Sequence, residues 1–131
     1  MSDVETSLIG SSRGQGSEEH FYANNPATGE ISATAYAVAT ETETDHAAEL
    51  AEKASAVLAA LSGSEKAKFL RAVADNVDAI VEDLVSIVTT ETGLPEPRVR
   101  GETGRTSGQL RMFADLVEEG SWVDARIDHA L

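Results

Sequence analysis

The sequence predicts an α-rich α+β segment: an amino-terminal β-hairpin followed by three or four helices. Three observations carry this. The turn signal Asn25-Pro26-Ala27-Thr28-Gly29 separates two short strand-like runs. From Asp45 onward the apolar spacing changes to the three and four of a helix. Capping and stop signals then punctuate the helical stretch at Ser62 with Glu65, at Gly93 with Pro95, and at Gly120.

Residues 1–20 are rich in Ser, Gly and Glu and lack a sustained apolar period, so they read as a mostly flexible lead in which Leu8 and Ile9 pair briefly as an edge strand. Residues 21–24 and 31–38 flank the turn, where proline fixes one φ and Gly29 supplies a positive one, and the second run alternates its side chains. The first helix has Thr44 or Asp45 at its start and the stripe Leu50, Ala51, Ala54, Leu58 and Leu61. Ser62 and Glu65 stand three apart, as in a capping box that opens the next helix. Its stripe runs from Phe69 through Leu70, Val73, Val77, Ile80, Val81, Leu84 and Val88, with a break near Asp78 that makes four helices of three. Gly93 and Pro95 stop it. The last helix spans about Pro97 to Glu119, ends at Gly120, and carries Val99, Thr103, Thr106, Leu110, Phe113 and Val117 as one buried stripe.

At 131 residues the chain is the size of one domain, but only 5% is aromatic and much of the 41% apolar fraction is alanine, so its core is expected to be thin. Ten basic against 23 acidic residues give a net charge of −13, which repels nucleic-acid phosphates and anionic membrane surfaces. Such acidity serves solubility and equally suits a high-salt cytoplasm. There is no cysteine, hence no disulfide, thiolate metal site or cysteine nucleophile within these residues. No apolar run approaches the roughly 20 residues that span a bilayer, and the start MSDVETSLIG lacks a signal-peptide pattern, so a cytoplasmic location is the default.

The stretch Gly101-Glu102-Thr103-Gly104-Arg105-Thr106 raises the question of a phosphate loop. That loop needs G-x-x-x-x-G-K-[ST] after a strand, and here Val99 stands where the first glycine belongs and no strand leads in. Two readings stay open: Gly101, Gly104 and Gly108 share a face of a helix that approaches a neighbour closely, or the helix starts near Thr106 and the glycines lie in a loop. Arg98 with Glu102 and Arg111 with Asp115 are spaced for surface pairing at i,i+4, while Arg105 has Glu102 at i−3 and no acid at i+4. A guanidinium with spare donors suits bidentate capture of a carboxylate. Other candidates are weaker. Ser12 sits in G-x-S-x-G (Gly10, Ser12, Gly14) without the strand and helix of a nucleophile elbow. His46 and Glu49 lack a third metal ligand, and no metal site is expected. His20 and His129 fall in loops, Trp122 reads as an anchor against a neighbour, and the acidic run Glu41 to Asp45 as a solvated helix entry.

Taken in order, "NPATGE" at 25–30, "FLRAVADNVDAIVEDL" at 69–84, "ETGLP" at 91–95 and "GETGRTSGQLRMFA" at 101–114 resemble the amino-terminal part of an aldehyde dehydrogenase, and "GSWVDARIDHAL" at 120–131 extends the likeness. The helix motif with the segment after it is closest to the α-ketoglutaric semialdehyde (2,5-dioxovalerate) dehydrogenase branch. The resemblance implies a parent enzyme that oxidises α-ketoglutaric semialdehyde to 2-oxoglutarate with NAD or NADP, acts on a small-molecule aldehyde and assembles as a homo-oligomer. It also implies a nucleotide-binding domain, a catalytic cysteine and a water-activating glutamate, none of them within these residues. Residues 21–131 are therefore expected to be the amino-terminal segment of that domain, truncated before those regions, with no catalytic or cofactor-binding residue of its own and inactive alone. By the same resemblance the last helix runs beside the substrate tunnel, its glycine face meets the rest of the enzyme, and Arg105 holds the far carboxylate of the substrate. The alternative is a free-standing acidic helical module that binds a protein partner without catalysis. A fragment is expected to leave the Val99 to Val117 face and Trp122 exposed.

Overall fold

The computed structural model describes residues 4–127. Among them the elements run β1 (Val4–Glu5), β2 (Leu8–Ile9), β3 (Ser12–Arg13), β4 (His20–Asn24), β5 (Ile31–Ala37), α1 (Glu41–Ala60), α2 (Gly63–Ala79), α3 (Val81–Thr92), α4 (Glu96–Glu119) and a 3₁₀ turn at Ser121–Val123. The chain divides into two compact units. One takes the chain up to Ala59 with Ser86–Pro95; the other takes Ala60–Val85 with the chain from Glu96 onward.

In the first unit β4 and β5 form the predicted antiparallel hairpin, with Phe21 opposite Tyr36 and an irregularity between Tyr22 and Asn24. The turn is built as its residues dictate: Asn25 Oδ1 accepts from the Ala27 N–H at 2.9 Å, the Gly29 N–H donates to the Asn25 carbonyl at 2.8 Å, and Gly29 takes φ 77°. The lead carries more regular structure than its composition predicts. β1 adds to the far side of β5 in parallel, giving the order β1-β5-β4, and β2 pairs with β3 across Gly10. A single carboxylate explains why the following residues turn toward α1: Glu43 accepts from the backbone N–H groups of Gln15 at 2.7 Å and Gly16 at 3.0 Å. Only Ala35 and Ala37 are buried in the sheet.

The first helix starts earlier than its apolar period predicts. α1 begins at Glu41, because Thr40 and Glu43 form a reciprocal cap: the Thr40 N–H donates to Glu43 Oε2 at 2.9 Å and the Glu43 N–H donates to Thr40 Oγ1 at 3.2 Å. Neither Thr44 nor Asp45 is the cap; both lie inside the helix. The predicted stripe on α1 buries no residue. The Ser62 and Glu65 capping box that opens α2 is present as predicted, and α2 ends at Ala79 with Ile80 as its C-cap, so the break falls just after Asp78. Gly93 at φ 69° ends α3 and Gly120 at φ 83° ends α4.

In the second unit α2 packs on α4 through small side chains. Ala67, Ala74 and Ala114 are fully buried, and Val85, Val99, Thr103 and Ser107 are buried as well. The helices approach closely at Gly63, where a Cβ would lie 2.2 Å from the Val117 carbonyl oxygen. The buried positions on α4 correct the predicted stripe: Val99 and Thr103 belong to it, whereas Thr106 and Phe113 are exposed and Ser107 and Ala114 take their places. The buried positions step by four, four and seven, and three of the four are small residues that let α2 come close.

Candidate functional site

α4 carries the residues that sequence reasoning singled out. Gly101, Gly104 and Gly108 all lie inside it, without positive φ, which settles the open choice in favour of a helix. The phosphate-loop reading fails on geometry as well as on spacing, since the Thr106 hydroxyl donates to the Glu102 carbonyl at 2.9 Å within the helix. A Cβ at any of the three glycines would meet nothing within 4 Å. Interior glycines cost a helix about 1 kcal/mol each relative to alanine, and among the described residues no neighbour offsets that.

With 3.6 residues per turn, Gly101, Gly104, Arg105, Gly108 and Met112 share one face, opposite the face of Val99, Thr103, Ser107 and Ala114 that packs on α2. Arg105 thus rises from a low-relief strip, its side chain 69% exposed. Its single ion contact is long, 3.4 Å to Glu102, and the same carboxylate holds Arg98 at 2.8 Å. Three other arginines of this unit each hold two carboxylates. Arg71 bonds Asp115 and Glu118 at 2.7 Å each, Arg111 bonds Asp75 at 2.6 Å and Asp78 at 2.8 Å, and Arg100 bonds Glu82 and Glu96. The i,i+4 pairing of Arg98 with Glu102 is found as predicted. Arg111 differs: it reaches across to α2, and Asp115 pairs instead with Arg71. Ser107 and then Arg111 hold Asp78 below the usual carboxylate range. Arg105 has the longest ion contact on α4 and so donors to spare, suited to a carboxylate brought to it.

The first unit contains a cleft of about 690 Å³ that sequence reasoning missed. Tyr36, Glu91, Glu30, Thr34, Arg13 and Ile87 are among its lining residues. The Tyr36 hydroxyl donates to Glu91 at 3.1 Å, and the carboxylate pushes the phenol above its ordinary range. Fifty-five residues separate that pair and no local pattern links them. Ser12 lies on the two-residue β3 with no elbow, while His46 lines a hollow of about 430 Å³ with Glu43 and Leu50. No group of three metal-ligating side chains exists among the described residues. His20 is exposed at the start of β4, Trp122 is 59% exposed, and His129 lies outside the described residues. No described helix is long and apolar enough to cross a membrane.

Comparison with known proteins supplies a frame for this helix. The model of the aldehyde dehydrogenase family matches residues 13–127. The α-ketoglutaric semialdehyde dehydrogenase 2 of Azospirillum brasilense is 40% identical over 124 residues, which cover 94% of this chain and 24% of that protein. The α-ketoglutaric semialdehyde dehydrogenase of Acinetobacter baylyi is 39% identical over 116 residues, covering 83% of this chain and 22% of its own length. The chain thus spans about a quarter of the length of these curated relatives. Among solved structures, an NAD-dependent aldehyde dehydrogenase from Sinorhizobium meliloti superposes with a TM-score of 0.78 at 22% identity, covering 91% of this chain and 24% of that one. PnpE in complex with nicotinamide adenine dinucleotide gives 0.77 at 23%, covering 88% and 24%. At these identities the two structures speak to the fold alone.

Proposed function

The chain belongs to the aldehyde dehydrogenase family, and on that premise we propose that it forms the amino-terminal portion of an NAD(P)-dependent enzyme oxidising α-ketoglutaric semialdehyde to 2-oxoglutarate. The observation that carries the proposal is the 40% and 39% identity to two proteins of that name across most of this chain. The residues described here do not fit the dinucleotide. The glycines of α4 are wound into the helix with their amides committed to its ladder, and in the other glycine-rich stretch, 10–16, the Gly14 N–H donates to the Ser7 carbonyl and the Gln15 and Gly16 N–H groups donate to Glu43. Nor is there a cysteine among the 131 residues to carry an acyl group. No bond-making step is therefore assigned to them, and the 131-residue chain alone is expected to form no NAD(P)H from any semialdehyde.

What these residues contribute, on this reading, is recognition. The open strip of Gly101, Gly104 and Gly108 lets another part of the enzyme approach α4, and Arg105 offers a bidentate fork to the substrate's far carboxylate. The test is a graft. Residues 13–127 replace the matching segment of the Azospirillum brasilense relative, and NAD(P)H formation is followed with α-ketoglutaric semialdehyde and with a neutral aldehyde of similar length. A graft that keeps its preference for the acidic substrate supports the proposal. A folded, cofactor-binding graft that prefers the neutral aldehyde sinks it.

A further inference from the structure

We infer that α1 is an ionic-strength-dependent helix, ordered by screening salt and frayed without it, while the ion-paired α2 and α4 respond in the opposite direction. The argument rests on what α1 has and lacks. Most helices in folded proteins are stabilised by packing one face, and α1 buries no residue. Its charges work against it. Glu41, Asp45 and Glu49 follow one another at i,i+4, and Glu52 stands three beyond Glu49, so like charges are stacked along one side. One cation answers them, Lys53, and its contact with Glu49 is 3.8 Å long between largely exposed side chains. Alanine-rich composition keeps α1 near the threshold of helicity. Within the first turn the Thr40 and Glu43 cap fixes the start, so fraying begins beyond it.

The chain's cations are concentrated elsewhere. In α2 and α4, Arg71 and Arg111 each bridge two carboxylates of the other helix, attractions that salt weakens. Along α1 salt relieves repulsion instead. Because Leu50 is the one apolar side chain of α1 that is even half-buried, the strengthening of hydrophobic burial by salt acts little on it. The two responses therefore have opposite signs within one polypeptide.

Hydrogen exchange of the intact 131-residue chain, read by mass spectrometry at peptides of α1 and of α4, tests this at pH 7 and at chain concentrations where light scattering reports a monomer. Between about 0.05 M and about 1 M KCl, α1 amides beyond Glu43 are expected to gain roughly fivefold protection, the relief of three like-charge contacts. Tetramethylammonium chloride should do the same, since screening does not distinguish cations. In the variant Asp45→Asn with Glu49→Gln, protection at low salt should already be high and its salt dependence flat. Protection that does not change or falls with salt overturns the inference. So does a gain seen with potassium but not with tetramethylammonium, which would mean a specific cation site, or an unaltered salt response in the double variant.

Discussion

At the scale of single residues, Glu43 carries more structure than any other side chain in the first unit. Its carboxylate accepts from the backbone of Thr40, Gly16 and Gln15 and from the Thr40 hydroxyl, and these donors lower its pKa from 4.5 to about 2. The Thr40 N–H contributes most. A carboxyl whose folded pKa is depressed adds stability that is fully present above its unfolded value and disappears as pH falls through the folded one. The hold on Gln15 and Gly16 should therefore persist from neutral pH down through pH 4.5 and vanish towards pH 2. Trypsin provides a local readout, since Arg13 precedes Gly14. Replacing Glu43 by Ala should speed cleavage after Arg13 by roughly tenfold relative to cleavage after Arg126 in the same chain; equal rates would show that the lead is held by something else. Arg105 is the other residue to test, because its one ion contact is the longest on α4. In the grafted enzyme, Arg105→Ala should raise KM for a carboxylate-bearing aldehyde by about tenfold and leave that for a neutral one nearly unchanged. Equal effects on both substrates would remove Arg105 from recognition.

Among the elements, the pairing of α2 with α4 is the best specified. It rests on alanine contacts, on the close approach at Gly63 and on reciprocal arginine bridges. Gly63→Ala pushes a methyl group into the Val117 carbonyl, and overpacking of this kind costs about 1–3 kcal/mol, to be read as a fall in the urea midpoint of helical circular dichroism. Arg71→Met and Arg111→Met should each lower the same midpoint at low salt and lose most of that effect near 1 M salt, because the bridges are exposed. An effect that survived high salt would assign the loss to packing of the arginine stems instead. The elements also mark how far the sequence could be read. Turn, capping-box and stop signals are local chemistry, so the hairpin, the start of α2 and the ends of α3 and α4 fell where residues such as Gly29, Ser62, Gly93 and Gly120 put them. The start of α1 was equally legible in Thr40-Glu41-Thr42-Glu43, a second S/T-x-x-E pattern, but the apolar period begins later and drew the boundary with it. The partners of Arg111 were not legible. Asp115 satisfies the helical spacing, and only the apposition of two helices reveals that Asp75 and Asp78 are nearer. Tyr36 and Glu91 were hidden for the same reason.

For the molecule as a whole the deciding quantity is how little large apolar surface is removed from water. Among the described residues seven apolar side chains are buried, and five of them are alanine: Ala35, Ala37, Ala67, Ala74 and Ala114. Phe21, Phe69, Phe113 and Trp122 are each about half exposed or more. Cooperative melting comes from large side chains that lose all their contacts at once, and no large side chain here is fully buried. The formal charge of −13 meanwhile opposes self-association at low salt. The isolated chain should therefore remain monomeric in dilute buffer and show a clear helical signal that declines over a broad temperature range. Screening the charge should then promote association through the exposed aromatic residues. Circular dichroism and light scattering recorded together on the same sample measure both. A single sharp transition in a monomer would mean that the alanine contacts and arginine bridges suffice for a self-contained domain. A broad one would mean that α4's glycine strip and the open aromatic residues await a surface from elsewhere, in keeping with the recognition role proposed for Arg105.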